Sequence, residues 1–174
     1  SAMQKKEVGE LVAGLRYVSE ACERAGVIVR NLQSMVKVEV KREVISLVTP
    51  LLDVLPLVAH EFKRTKITLR NEFEKSLPSI AMSRVEIGQV YLNLIINAIH
   101  AMETSGGILT IRGYAKNHAV LIEIQDTGSG IHPENLPQIF EPLFTTKGQR
   151  GSGLGRTVSR NIVENHGGHL TVES

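Results

Sequence analysis

The chain has 174 residues, 42% of them hydrophobic, with 20 Lys+Arg against 18 Asp+Glu. That suits one compact core plus an accessory element, and a net charge of +2 is too small to argue for nucleic acid or a membrane surface as partner. Aromatics at 4% with no Trp argue against a base-stacking platform, a single cysteine excludes an internal disulfide and fits a reducing compartment, and no apolar run approaches the ~20 residues of a membrane-spanning helix.

In chain order, Ser1-Ala2-Met3 resembles the scar of a cleaved tag and is set aside. From about Lys5 to Lys37 there is no Pro, and apolar residues recur three or four apart through Val8, Leu11, Leu15, Val18, Cys22, Ala25, Val29, Leu32 and Val36. This predicts one long amphipathic helix with Cys22 as a small apolar filler. Such a stripe needs cover from the rest of the domain, from a missing partner helix or from a second copy. A helical hairpin or bundle with absent members is the favoured reading. A short strand is expected over Glu43–Leu47, then a helix over about Thr49–Arg64 with Pro56 as a candidate kink. Residues Lys66–Phe73 alternate apolar and polar, as a strand with one buried face does. Ser83 with Glu86 three residues on forms a capping-box signature, opening a helix to about Met102 that breaks at Gly106-Gly107. Ile108–Ala115 and Ala119–Gln125, joined by Lys116-Asn117-His118, predict a β-hairpin. Asp126 to Gly155 is mostly loop, and a loop of that length in a compact domain is usually functional. A last helix over about Leu154–His166 stops at Gly167-Gly168, and a strand is expected over His169–Val172. The class is α+β: a mixed sheet with one layer of helices.

Four clusters carry chemistry. Asn93 and Asn97 lie four apart on the central helix, so both amides share a face. Amide oxygens are hard neutral ligands suited to Mg²⁺ when phosphates complete the shell; the plainer alternative is two solvated amides. Asp126-Thr127-Gly128-Ser129-Gly130-Ile131 follows a predicted strand. There a carboxylate can accept a hydrogen bond from an exocyclic amine, as adenine offers and guanine does not, while glycines admit close approach. An Asp that simply caps its turn is the competing reading. Gly151-Ser152-Gly153-Leu154-Gly155 runs into a helix whose free N–H groups suit phosphate. It is neither a P-loop nor a dinucleotide fingerprint. Between them, Ile139-Phe140-Glu141-Pro142-Leu143-Phe144-Thr145-Thr146-Lys147 sets two rings to anchor a loop with Thr146, Lys147 and Arg150 on its phosphate-facing side, or else forms a small satellite core.

Taken in order, these clusters resemble the N, G1, F and G2 boxes of the histidine kinase catalytic domain, within the ATPase superfamily that includes gyrase B and Hsp90. The resemblance runs from about Glu43 to the end, including Asn161–Gly168. It implies a Bergerat-type two-layer sandwich and Mg-ATP as the bound nucleotide. Asn97 would ligate the metal, Asn93 would assist at the phosphates, and His100, one turn on, either approaches phosphate or stays at the surface. Asp126 would bind the adenine amine beside Gly128, Gly130 and Ile131. Phe140, Thr146, Lys147, Gly151, Ser152, Gly153, Leu154 and Gly155 would complete the nucleotide site.

Hydrolases of that superfamily resemble one another in placing a Glu where this chain has Asn93, and an amide is no general base. Phosphoryl transfer to an external histidine is therefore favoured over hydrolysis. No acceptor segment is present: His60-Glu61 lacks the rest of the pattern. The resemblance thus implies residues 4–38 as the second helix of a dimerisation hairpin and 39–174 as the ATP-binding domain without its last strand. It further implies a response regulator and a phosphoacceptor helix as partners, no nucleic acid, a homodimeric parent kinase, and a cytoplasmic setting, with the parent free to carry a membrane anchor. An ATP-binding module without transfer activity, and a serine kinase of the same superfamily, are the alternatives. One departure stands out: after Gly155 the family usually continues with Leu and a small residue, where this chain has Arg156-Thr157, with Arg156 either reaching a phosphate or facing solvent on the helix.

Overall fold

The computed structural model describes residues 41–145 and 153–174; the expected helix over Lys5–Lys37 lies outside them. Three strands form a mixed sheet: β2 (Ile67–Phe73) runs parallel to β4 (Gly107–Lys116), and β4 runs antiparallel to β5 (Ala119–Asp126). Two shorter strands, β1 (Glu43–Ser46) and β3 (Ser79–Met82), pair antiparallel as a separate ribbon. β3 was not foreseen: four residues are too few for alternation to register, and the strand exists because β1 offers it a partner.

Helices α1 (Val48–Arg64), α2 (Arg84–Ala101) and α3 (Gly155–Asn165) form the other layer, with α2 packed against both neighbours. α1 runs unbroken through Pro56; Leu52, whose carbonyl loses its usual partner there, is exposed, so water can serve it. Each helix turns a stripe three or four residues apart to the core: Leu51, Val54 and Val58 from α1, Ile87, Tyr91, Ile95 and Ile99 from α2, Val158 and Ile162 from α3. These meet Ile67, Leu109 and Ile111 of the sheet. The sheet's far face is polar, where Arg112 pairs with Glu72 at 2.7 Å and Gln125 at 2.9 Å, and Tyr114 donates to Glu123.

The β4–β5 hairpin closes through Asn117 and His118, both at positive φ (51° and 62°), the two-residue turn whose twist matches the strands. A 3₁₀ turn at Pro133–Gln138 interrupts the long loop. The strand expected at His169–Val172 is corrected: these residues have no ladder partner among the described residues. Alternation in sequence makes a segment ready to pair, but a strand forms only where a neighbour supplies the hydrogen bonds. No helix among the described residues is long and apolar enough to cross a membrane.

Candidate functional site

α2 is the axis of the site. Ser83 caps it, its Oγ accepting the Glu86 N–H at 3.2 Å. The other half of the expected capping box is not made. Ser83 N–H instead donates to His166 Nε2 at 3.0 Å, while His166 Nδ1 lies 2.8 Å from the Ile162 carbonyl. This fixes the tautomer with the proton on Nδ1. His166, at the end of α3, therefore bolts the start of α2 in place. Lower on α2, the Tyr91 hydroxyl donates to the Leu47 carbonyl at 2.9 Å, and burial pushes its pKa upward.

Asn93 and Asn97 are both half-buried, and His100, one turn further, is exposed. Asn93 Nδ2 donates to the Gly155 carbonyl at 3.3 Å and lies 3.4 Å from Ser159 Oγ. Its amide nitrogen thus ties α2 to the first turn of α3, which leaves Oδ1 outside those two bonds. Ser159, fully buried, escaped the sequence reading; its one signal was a small hydroxyl one turn after Gly155. No group of three or more acidic, His or Cys side chains suited to a metal occurs among the described residues. Amide oxygens such as those of Asn93 and Asn97 can ligate Mg²⁺ where phosphates supply most of the shell.

The loop after β5 is stitched to the far end of α2. Asp126 Oδ1 accepts the Gly128 N–H at 2.9 Å, and Ser129 N–H donates to the Ala101 carbonyl at 3.1 Å. Thr127 Oγ1 accepts the Ile108 N–H at 3.0 Å. A Cβ on Gly128 would stand 2.7 Å from the Ala101 backbone, so glycine is required by approach. The turn-capping role of Asp126 is thus real, and it occupies one carboxylate oxygen, with Oδ2 outside that bond. Gly130 follows at φ +68°, and the Ile131 N–H donates to Ser174 Oγ. The anchored loop lies one helical turn along α2 from Asn97.

The start of α3 closes the other side. Leu154 stands at the N-cap of α3 and makes no side-chain cap hydrogen bond there. Ile139, not the rings of Phe140 or Phe144, is the buried residue of the F segment, at 1% exposure; both phenyl rings are half-buried. Phe140 is instead covered by the Arg160 guanidinium, 5.3 Å from its centroid. Thr146, Lys147, Arg150, Gly151 and Ser152 lie outside the described residues. His60 is exposed on α1 beside Glu61, far in sequence from these elements.

Residues 82–174 match the family described as histidine kinase-, DNA gyrase B- and HSP90-like ATPases. The chain belongs to this family. Within it, the chain is a histidine kinase-type ATP-binding domain. It is 40% identical over 120 residues to the sensor histidine kinase ZraS of Salmonella typhi, and 34% identical over 167 residues to ZraS of Escherichia coli. These alignments cover 69% and 95% of this chain but 26% and 36% of those proteins, so the chain spans about a third or less of the relatives' length. Among solved structures, the catalytic domain of histidine kinase ThkA superposes with a TM-score of 0.64 at 28% identity, covering 71% of this chain and 82% of that one. ThkA in complex with the response regulator TrrA shares the fold at a TM-score of 0.69 and 24% identity, covering 87% of this chain and 43% of that one.

Proposed function

We propose that this chain binds Mg-ATP and serves a two-component sensor kinase by delivering the γ-phosphoryl group to a histidine on a dimerisation domain. The observation that carries the reading is that α2 physically joins the segments the sequence keeps apart. Asn93 is bonded to the start of α3, and the loop after Asp126 is bonded to Ala101. When bound, Mg-ATP supplies the transferable group, and its metal offsets the phosphate charge. Asn97 would hold the metal, Asp126 Oδ2 would accept from the adenine amine, and the start of α3 would face phosphate. Asn93 keeps a general base out of the position from which hydrolases activate water, which favours transfer over hydrolysis.

On this reading the parent kinase is a homodimer that supplies the acceptor helix, residues 4–38 are part of its dimerisation hairpin, a response regulator receives the phosphoryl group, and the domain works in the cytoplasm. Titration calorimetry with ATP and GTP, with and without Mg²⁺, tests the pocket. Magnesium-strengthened ATP binding that Asp126→Asn loses, with GTP ignored, is the expected result. Absence of ATP binding by the folded chain would overturn it. Transfer of labelled phosphate to a separately supplied acceptor helix pair tests the chemistry.

A further inference from the structure

The two residues that depart from the family's usual pattern, Arg156 and Thr157, both turn toward the F segment. Thr157, 7% exposed, donates from Oγ1 to the Phe140 carbonyl at 3.0 Å. Arg156 Nη1 lies 3.5 Å from the Ile139 carbonyl, and partial burial pulls its pKa down. One turn on, Arg160 covers the Phe140 ring; its Nε is buried without a hydrogen-bond partner and stands 3.7 Å from Glu164 Oε1. A fourth contact completes the seam. Gly153 (φ +64°) packs so tightly on Leu143 that any Cβ would collide with the Leu143 carbonyl. Leu143 itself sits at φ +66° with its side chain exposed, a conformation that a leucine holds only under constraint.

We propose that Arg156, Thr157 and Arg160 are positioning residues that fasten Ile139–Thr145 to the start of α3, so that nucleotide meets a phosphate end already formed. Backbone carbonyls are the targets of two of these contacts, so the fastening does not depend on which side chains the segment carries. Ile139 is buried yet stands outside the main hydrophobic cluster. The segment is therefore held to α3 through this seam and not by the central core. A leucine at 156 offers no donor to the Ile139 carbonyl. The Arg156 contact is thus one that the family's usual leucine would not make. Pre-ordering of this kind lowers the entropy lost on binding and appears as affinity.

The nucleotide half of this proposal rests on the proposed function; the fastening itself does not. Hydrogen exchange on the full chain without nucleotide reads the fastening directly. Thr157→Val and Arg156→Leu should speed exchange of the amides between Ile139 and Thr145 by roughly 5- to 10-fold each, the scale of one lost hydrogen bond, with β4 and β5 unchanged. Thr157→Ser should restore the slow rate. Unchanged exchange, or acceleration spread over the whole chain, would overturn the proposal. In calorimetry the same variants should weaken Mg-ATP by several-fold, again with Thr157→Ser as the rescue, and in transfer assays KM should rise while kcat holds. Local acceleration with unaltered ATP affinity in a chain that binds ATP would overturn the positioning role. If the unaltered chain binds no ATP, the proposed function fails, and exchange alone decides the seam.

Discussion

At the scale of single residues, the site depends on close approaches more than on charged side chains. Gly128 is the clearest case, because its hydrogen atom occupies space beside Ala101 where a methyl group would stand 2.7 Å from backbone. Backbone cannot swing aside as a flexible side chain does, so the loop or the end of α2 must shift. Gly128→Ala is expected to cost about 1–3 kcal/mol of stability, the usual scale of overpacking, measured by urea denaturation. The displaced loop carries Asp126, so ATP affinity should fall in the same variant. Asp126 shows why a residue's structural and functional readings need not compete. One oxygen holds the Gly128 N–H, and a carboxylate has a second with which to recognise a ligand.

At the scale of elements, α2 is held at its start, its middle and its end. Ser83 and His166 fix its beginning, Asn93 ties its middle to α3, and Ala101 receives the loop after β5. The side chain of His166 is only 6% exposed, so loss of its ring would leave the Ser83 N–H without its acceptor. His166→Phe keeps an aromatic ring of similar bulk and removes the acceptor. It is expected to destabilise by about 1–3 kcal/mol, the cost of an unsatisfied buried donor, read as a lower melting temperature. Because the same bolt sets α3 against α2, the distance between Asn93 and Gly155 should loosen as well. Little change in stability would mean that Glu86, 3.7 Å from Nε2, takes over the Ser83 N–H as a complete capping box would.

At the scale of the whole molecule, one core joins the helix layer to the central strand. Ile111 of β4 is fully buried, with the sheet on either side and helices above. Ile111→Ala should cost about 2–5 kcal/mol. If the domain unfolds as one unit, helix loss by circular dichroism and the loss of nucleotide binding should share a single midpoint in denaturant. The fastened F segment is set apart from this: Ile139 is buried outside that cluster. Its local opening should cost less than global unfolding, so its amides should exchange faster than those of β4.

The sequence by itself determined the class of fold, the order of most elements and the four clusters that identify the family. Alternation over Ile67–Phe73 follows from which side chains must leave water, and local pattern records that directly. Ser83 as a cap and Asn117-His118 as a turn were readable for the same reason: both are settled within a few residues. What only the tertiary structure decided are the partners that lie far along the chain. β3 exists because β1 pairs with it, while His169–Val172, with a strand-like pattern, finds no such neighbour. Glu86 had the right spacing to complete the capping box, but His166, 83 residues beyond Ser83, took the bond. Arg156 had two readings in the sequence, a reach to phosphate or a solvated helix face, and the structure sets its guanidinium beside the Ile139 carbonyl instead. Hydrogen bonds and close contacts between distant segments leave no periodic trace in sequence, because their geometry is set only when the layers pack.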